Sequence, residues 1–182
     1  MTDLLLDKKL RTKPSKDVRA IARARTLSLL QKLKGDGLSK GALIPFLYEA
    51  NLILGSRSVL SLNGADLSEV DLRNAILPSI NLEGSSIMRG QFQGTHLECA
   101  NLISSYLDNA KLSGALLTGT KLNKAYLLKT DFSGADLRNS IFKDAVVLED
   151  QLKSVSSLSG AIMPDGTPYD GTLQLGGDPE LS

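Results

Sequence analysis

The chain of 182 residues contains one cysteine, one histidine and no tryptophan. With Cys99 alone it cannot form an intramolecular disulfide, which fits a reducing compartment or one whose redox state does not matter. These counts also exclude a His-based metal cluster and the ligand spacing of a zinc site. Aromatic residues make up only 4% of the chain. Its core must therefore be built from leucine and small residues rather than from large rings.

Long apolar runs are missing as well. The longest, GALIPFLYEANLILG, is too short to span a bilayer and carries Pro45, Glu49 and Asn51. The N-terminal stretch MTDLLLDKKLRTKPSK has no apolar segment of signal-peptide length. We therefore expect a soluble, cytoplasmic protein.

Charge of one sign dominates only at the ends of the chain. Residues 1–59 hold twelve Lys/Arg against five Asp/Glu, residues 60–154 hold nine against eleven, and residues 155–182 hold none against four. A basic head could attract acidic partners, but a solvated helix face is the simpler interpretation.

The chain does contain an apolar residue at every fifth position over about 90 residues. This period fits neither a helix nor a half-buried strand. The nineteen positions are Leu62, Leu67, Leu72, Leu77, Leu82, Ile87, Phe92, Leu97, Leu102, Leu107, Leu112, Leu117, Leu122, Leu127, Phe132, Leu137, Phe142, Val147 and Leu152. We predict that these side chains form the structural core.

A second column, two residues before each of these positions, is made mostly of Ala, Ser, Thr and Gly. Pentads such as ADLSE, ANLIS, TDFSG and ADLRN combine both columns. They resemble the pentapeptide-repeat family, whose motif is a small residue, Asn or Asp, Leu or Phe, and two variable positions. The resemblance implies an all-β solenoid, a right-handed quadrilateral β-helix in which four pentads make one coil.

This geometry predicts four interior stacks of residues twenty positions apart. Coils paired at about 4.8 Å would satisfy the backbone polar groups as a sheet does, and nearly five coils would form a rod roughly 23 Å long. The first coil carries bulky Val70 and Ile80 in the small-residue column, so we expect it to be wider or to lean on a neighbouring element. Pro78 predicts a turn or bulge.

The domain organisation predicted from the sequence has four parts. They are a flexible N-terminus at 1–15, a helical N-terminal cap at 16–57, the pentapeptide-repeat β-helix at 58–154, and a C-terminal cap and tail at 155–182 with a disordered end.

The N-terminal cap is predicted to contain two helices. The first, 17–34, would bury Val18, Ile21, Leu27, Leu30 and Leu33. The second would run through PFLYEANLI, with its proline in the first turn. The segments RARTL, FLYEANLI and GAIMPDGT are similar to those of cyanobacterial pentapeptide-repeat proteins with a helical cap.

No motif indicates an enzyme, and we predict no catalytic, cofactor-binding or metal-binding residues. His96 and Cys99 share the pentad THLEC at outward positions, where two surface residues are a simpler interpretation than a nucleophilic pair. The repeat's own Asn/Asp position, a structural one, holds Asp66, Asp71, Asp131 and Asp136. Glycines at 84, 94, 114, 119 and 134 end their pentads, where corners need unusual backbone angles.

One outward column is unlike the others, because its later members are apolar. Together with the neighbouring outward positions it should place five side chains on adjacent coils: Tyr106, Tyr126, Leu128, Val146 and Leu148. Such a patch indicates a partner or dimer interface in the C-terminal half of the stacked coils. The alternative is that the tail at 155–175, with its apolar LSGAIMP and LQL, folds back over it.

Three functions can be weighed on these features. The first is a rigid, non-enzymatic module that binds an unidentified protein partner, with a homodimer through the C-terminal half as one form. The second, implied by the family, is a DNA mimic that modulates DNA gyrase, which the weakly charged repeats disfavour. The third is attachment to nucleic acid or membrane through the basic helix, whose Arg19, Arg23, Arg25, Lys32 and Lys34 do not share one face. We therefore expect neither nucleic acid nor membrane as a partner.

Overall fold

The computed structural model describes residues 14–55 and 58–172. Helices α1, Lys16–Lys32, and α2, Gly37–Glu49, precede the repeats, and a short helix α3, Glu149–Leu152, interrupts them near their end. No helix in these ranges is long and apolar enough to cross a bilayer. Apart from Pro14 and Ser15, the predicted flexible N-terminus lies outside the described residues. So does 173–182, which holds the predicted disordered end.

The repeats form a solenoid with twenty residues in each coil. From Asp66 paired with Ser86 to Tyr126 paired with Val146, parallel bridges join residues twenty positions apart. Each pentad contributes one bridge, so four pentads complete a coil. Hydrogen bonds such as Leu67 N to Ser86 O, 2.7 Å, connect successive coils. The coils therefore satisfy their backbone groups as neighbouring strands do.

Every pentad before α3 turns the chain through a tight corner. In the first complete pentad, Val70 N donates to Leu67 O at 3.1 Å, and Glu69 between them has a φ of 65°. A positive φ at this position is typical of a type II turn. The sequence predicted unusual angles at the glycines, and Gly84, among others, has them. Eleven other corners use ordinary residues: Glu69, Asn74, Ser79, Arg89, Cys99, Ser104, Asn109, Lys124, Lys129, Asn139 and Asp144.

The core is the interior of this stack of coils, which we call the tower. Eighteen of the nineteen predicted core residues are buried, and only Val147 is half-buried. Hydroxyls in the small-residue column are satisfied internally, since Ser85 donates to Leu82 O in its own coil at 2.6 Å and Thr95 donates to Leu72 O in the coil below at 2.7 Å. The narrow interior can thus hold these polar groups without a buried unpaired donor.

The register changes once, near the C-terminal end. Helix α3 replaces one pentad corner, after which Asp136 pairs with Ser157 and Ile141 with Ile162, twenty-one positions apart. Gln151 of α3 donates to the carbonyls of Leu127 and Thr130 at 2.7 and 2.8 Å. Coil pairing therefore continues past the boundary expected at 154.

The two N-terminal helices differ from the prediction in their details. The buried face of α1 consists of Ala22, Thr26 and Leu30, whereas Ile21 is 55% exposed. Helix α2 begins far before Pro45, because Asp36 accepts a hydrogen bond from Ser39 N at 2.9 Å and caps it. The predicted burial of Ile21 and the placement of Pro45 in the first turn were both wrong.

Helix α2 lies directly on the edge of the first coil. A Cβ at Gly37 would stand 2.1 Å from Glu69 O, and one at Gly41 would stand 2.1 Å from Asp71 O. Gly37 O also accepts from Asp71 N at 3.1 Å. Val70 and Ile80 are fully buried at this end of the tower. The first coil thus leans on a neighbouring element, as its bulky residues predicted.

Side chains of the cap replace the hydrogen bonds that a preceding coil would supply. Within the tower, corner carbonyls accept from the coil below, as Met88 O does from Glu69 N. On the first coil three equivalent carbonyls accept from cap side chains: Asn63 O from Arg23 at 2.6 Å, Ser68 O from Lys40 at 2.9 Å, and Pro78 O from Tyr48 at 2.8 Å. The helices therefore close the open edge of the tower.

Burial affects two of these cap donors. The side chain of Lys40 is fully buried, although lysine is rarely so unless it is paired. Burial, with the nearby Glu98 carboxylate, raises the pKa of Tyr48, so its hydroxyl stays protonated and able to donate.

Candidate interaction surface

Five apolar side chains lie on one face of the tower, which we call the tyrosine face: Tyr106, Tyr126, Leu128, Val146 and Leu148. Bridges join Tyr106 to Tyr126 and Tyr126 to Val146, so three successive coils contribute to it. The outward direction follows from the pentad, since the residue just before each buried central residue faces away from the core.

The two tyrosine rings stack on each other. Their centroids are 5.0 Å apart and their planes differ by 7°. Nonetheless Tyr106 is 45% and Tyr126 43% exposed. Leu128, Val146 and Leu148 are exposed too, at 39%, 40% and 56%. The stack holds the rings in fixed positions, so the face presents a preorganised apolar surface.

The same face is polar nearer the N-terminal cap. Asp66 and Ser86 occupy the outward positions there, and the hydroxyls of Ser86 and Ser68 lie 3.0 Å apart. Lys40 Nζ lies 3.8 Å from a carboxylate oxygen of Asp66. The apolar surface is consequently confined to the C-terminal half of the tower.

Charged residues occupy the corners that border the tyrosine face. Lys124 and Asp144 lie on one border, one coil apart, and Lys129 lies on the other; all three are exposed. Within the described ranges, neither Lys124 nor Lys129 has a carboxylate within 4.0 Å. The sequence could have shown this border, because corner residues on the same edge of the tower follow one another at intervals of twenty positions.

The described part of the C-terminal tail folds against the end of the tower. Ile162 forms an antiparallel bridge with Pro168, and Tyr169 N donates to Ala161 O at 2.8 Å. With the tail followed to residue 172, all five side chains of the tyrosine face remain exposed. The LQL segment of the tail lies outside the described residues.

The aspartates of the repeat anchor turns. Asp71 accepts from Arg73 N at 3.2 Å, Asp131 from Ser133 N at 3.0 Å, and each thereby closes a local turn two residues on. Hydrogen bonds from the Arg73 side chain lower the pKa of Asp71, and those from Ser133 lower the pKa of Asp131. Both carboxylates are therefore ionised at neutral pH, and neither is a poised general acid.

Asp66 and Asp136 behave in the same way. Arg138 holds Asp136 with hydrogen bonds that lower its pKa. Burial raises the pKa of Asp66, but hydrogen bonds from Ser68 outweigh it and leave the pKa below its ordinary value. Consecutive pentads lie on different faces, so these carboxylates do not form the pairs that acid–base catalysis uses.

His96 and Cys99 occupy different positions of their pentad. His96 bridges Ile76 and Leu116 through its backbone, and its Nδ1 lies 3.3 Å from Glu98 Oε1. Cys99 is exposed at a corner with a φ of 58°. Over the ranges that the structure covers, no three His, Cys, Asp or Glu side chains are grouped to hold a metal ion.

Comparison with known proteins identifies the repeat. The family model described as pentapeptide repeats matches in eight copies, over residues 65–102, 91–123 and 105–144. A search of curated proteins finds no match.

Solved pentapeptide-repeat proteins resemble parts of the chain. HetL from Nostoc sp. strain PCC 7120, which is involved in heterocyst differentiation regulation, is 34% identical over 57% of this chain and 43% of its own, with a TM-score of 0.44. Rfr23 from Cyanothece 51142 is 27% identical over 58% and 65%, with a TM-score of 0.40. A protein of the Arabidopsis thaliana thylakoid lumen is 26% identical over 50% and 63%, with a TM-score of 0.41.

Each match spans less than two thirds of the solved protein. Residues 65–144, matched by eight copies of the pentapeptide-repeat model, are therefore pentapeptide repeats.

Proposed function

We propose that this chain is a non-enzymatic interaction module that binds a protein partner through the tyrosine face. Its repeats would form the right-handed quadrilateral β-helix of the family, with the helical cap of cyanobacterial members at its N-terminal end. The observation that carries the proposal is the stacked, half-exposed Tyr106 and Tyr126 within an apolar surface on three adjacent coils. Contiguous apolar surface of this kind marks interaction sites on proteins.

The rigidity of the solenoid supports this proposal. Backbone hydrogen bonds fix each coil to the next, so the five side chains keep their spacing before a partner arrives. A preorganised surface loses little conformational entropy on binding, and more of the contact energy becomes affinity. Aromatic anchors in the centre of an interface often supply much of that energy.

The charges of the tower and cap do not favour the other two functions. A mimic of DNA needs a strongly acidic rod, whereas residues 60–154 hold nine basic and eleven acidic residues. In the cap, Arg23 donates to Asn63 O and Arg19 donates to Pro14 O at 3.2 Å. These guanidinium groups thus have structural partners within the chain.

A pull-down from the native organism tests the proposal. The wild type is compared with Tyr106→Lys/Tyr126→Lys, and the matched control is Ile76→Lys/Leu116→Lys, which changes apolar residues at the same pentad position on another face. We expect a protein that is retained by the wild type and the control and lost from the tyrosine variant. Equal retention by all three would show that the tyrosine face is not the binding surface.

A further inference from the structure

The borders of the tyrosine face carry charges in a defined order along the tower. On one border Lys124 lies at the level of Tyr126, and Asp144 lies one coil higher, at the level of Val146. On the other border Lys129 lies at the lower level, and α3 begins after Leu148. Both borders are therefore basic on the Tyr126 coil, and the first border is acidic on the Val146 coil.

We propose that the partner of the tyrosine face is a second copy of this chain, packed face to face and antiparallel. The two-fold axis would lie in the interface, between the Tyr126 coil and the Val146 coil. This inference rests on the proposed function, because it names the protein that the same face binds. It adds a defined register to that function.

The order of charges selects the antiparallel arrangement. If the two towers ran parallel, the symmetry would place Lys124 of one copy opposite Lys129 of the other and bring like charges together. If they run antiparallel about the stated axis, Lys124 of each copy faces Asp144 of the other. A two-fold interface repeats every contact twice, so the favourable pairing is doubled.

The same axis matches the apolar side chains. Tyr126 of one copy then covers Val146 of the other, and Leu128 lies against the region of Leu148. An axis through Tyr126 itself would overlap the apolar residues on all three coils, but it would place Lys124 of one copy against Lys124 of the other. The charges thus favour the register with its axis between the Tyr126 coil and the Val146 coil.

A partner with charges of one sign fits this face less well. An acidic peptide would be attracted by Lys124 and Lys129 but repelled by Asp144, and a basic peptide would meet the opposite conflict. A surface with both signs in mirrored order suits Lys124 and Asp144 together, and a second copy carries that order by symmetry.

The area of the tyrosine face indicates a weak dimer. With about 150–250 Å² for a fully exposed large side chain, its five residues expose roughly 400 Å². Two such faces expose roughly 800 Å² together, so even with their charged borders they lie at or below the lower end of the roughly 1,200–2,000 Å² buried by stable interfaces. We therefore expect association that depends on concentration in the micromolar range or above.

Charge exchange tests this register. Sedimentation velocity is measured from about 1 µM to about 1 mM for the wild type, Lys124→Glu, Asp144→Lys and the double variant with both changes. Both positions are positive-φ corners, and the chain already places Glu69 and Lys124 at such corners. Lys111→Glu, an exposed lysine on another face, is the control, and urea unfolding of each variant checks that the tower remains folded.

We expect each single variant to weaken the dimer by about tenfold or more, because like charges then face each other. The double variant should regain wild-type association to within about threefold, and Lys111→Glu should leave it unchanged. A wild type that stays monomeric throughout, or a double variant as weak as the singles, would overturn the proposed dimer.

The pull-down separates this outcome from a failure of the proposed function. A monomeric wild type that retains a different protein through Tyr106 and Tyr126 would leave the interaction function standing and remove only the second copy as its partner. A monomeric wild type with no tyrosine-dependent retention would remove both.

Discussion

Replacing Lys40 by methionine should loosen the N-terminal cap while leaving the tower intact. The lysine side chain is fully buried, and its ammonium donates to Ser68 O at 2.9 Å. Methionine has a similar length and keeps the apolar stem, so the variant removes the donor without opening a large cavity. Ser68 O would then have no donor in a closed interface.

The magnitude follows from these contacts. A hydrogen bond from a charged group contributes about 1.5–3 kcal/mol, and an ion pair with a partly exposed carboxylate contributes about 0–1 kcal/mol. Asp66, the carboxylate 3.8 Å away, has a side chain that is 36% exposed. Methionine also avoids the cost of burying an ammonium group, which offsets part of the loss. We expect a net destabilisation of the cap by about 1–3 kcal/mol.

Hydrogen exchange measured by mass spectrometry can locate this effect, since repeat proteins can open in segments rather than all at once. Amides of α2 should exchange about tenfold faster or more in the variant, because 1.4 kcal/mol corresponds to a factor of ten. Amides of the central coils should keep their rates. The control is Lys32→Met, an exposed lysine in the last turn of α1, with an expected change within about 0.5 kcal/mol. If α2 exchanges at the same rate in both variants, the cap does not depend on the Lys40 hydrogen bond.

Two further changes probe the tower itself. Leu107→Asp should destabilise it by about 4 kcal/mol or more, because the residue is buried and an aspartate would place an unpaired charge there; circular dichroism during urea unfolding checks this, and Leu107→Met should cost less than about 1.5 kcal/mol. Acid should also destabilise the fold, since the pKa values of Asp71, Asp131 and Asp136 are lowered in the folded state. Their contribution is complete above the ordinary pKa of 3.8 and is lost as the pH falls through the lower folded-state values. The urea concentration at the unfolding midpoint should therefore fall when the pH is lowered below about 4. The fall should be smaller in the triple variant Asp71→Asn/Asp131→Asn/Asp136→Asn, whose amide oxygens can still accept the turn hydrogen bonds. Equal acid sensitivity of that variant would show that other groups control the loss.

The tower could be predicted from the sequence because one constraint repeats nineteen times. A period of five for Leu67 and its counterparts leaves few regular structures, and the parallel pairing at intervals of twenty agrees with the family's coil. The corner angles were predicted only in part. Glycine reveals a positive φ through its own identity, whereas Arg89 or Lys129 at the same corner carries no such signal.

Single contacts between distant segments were beyond the sequence pattern. Lys40 looks like a solvated residue because lysine is rarely buried, and its burial depends on the Ser68 carbonyl, twenty-eight residues away. The start of α2 was missed for a local reason, since the glycines around Asp36 indicated a loop. Asp36 instead caps the helix, and Gly37 and Gly41 are required by contact with the first coil. The tyrosine face could be predicted because its residues follow the period of the tower.

The hydrogen bonds of the cap bear on whether it could close a different tower. Arg23, Lys40 and Tyr48 all donate to main-chain carbonyls, and any tower with the same coil presents carbonyls at the same places, whatever its side chains. The cap thus recognises the shape of a coil more than its sequence. Residues 16–55 could be grafted onto an unrelated pentapeptide tower as an N-terminal end piece, provided that its first coil leaves room for α2. The position of the graft would then set the number of coils in that tower.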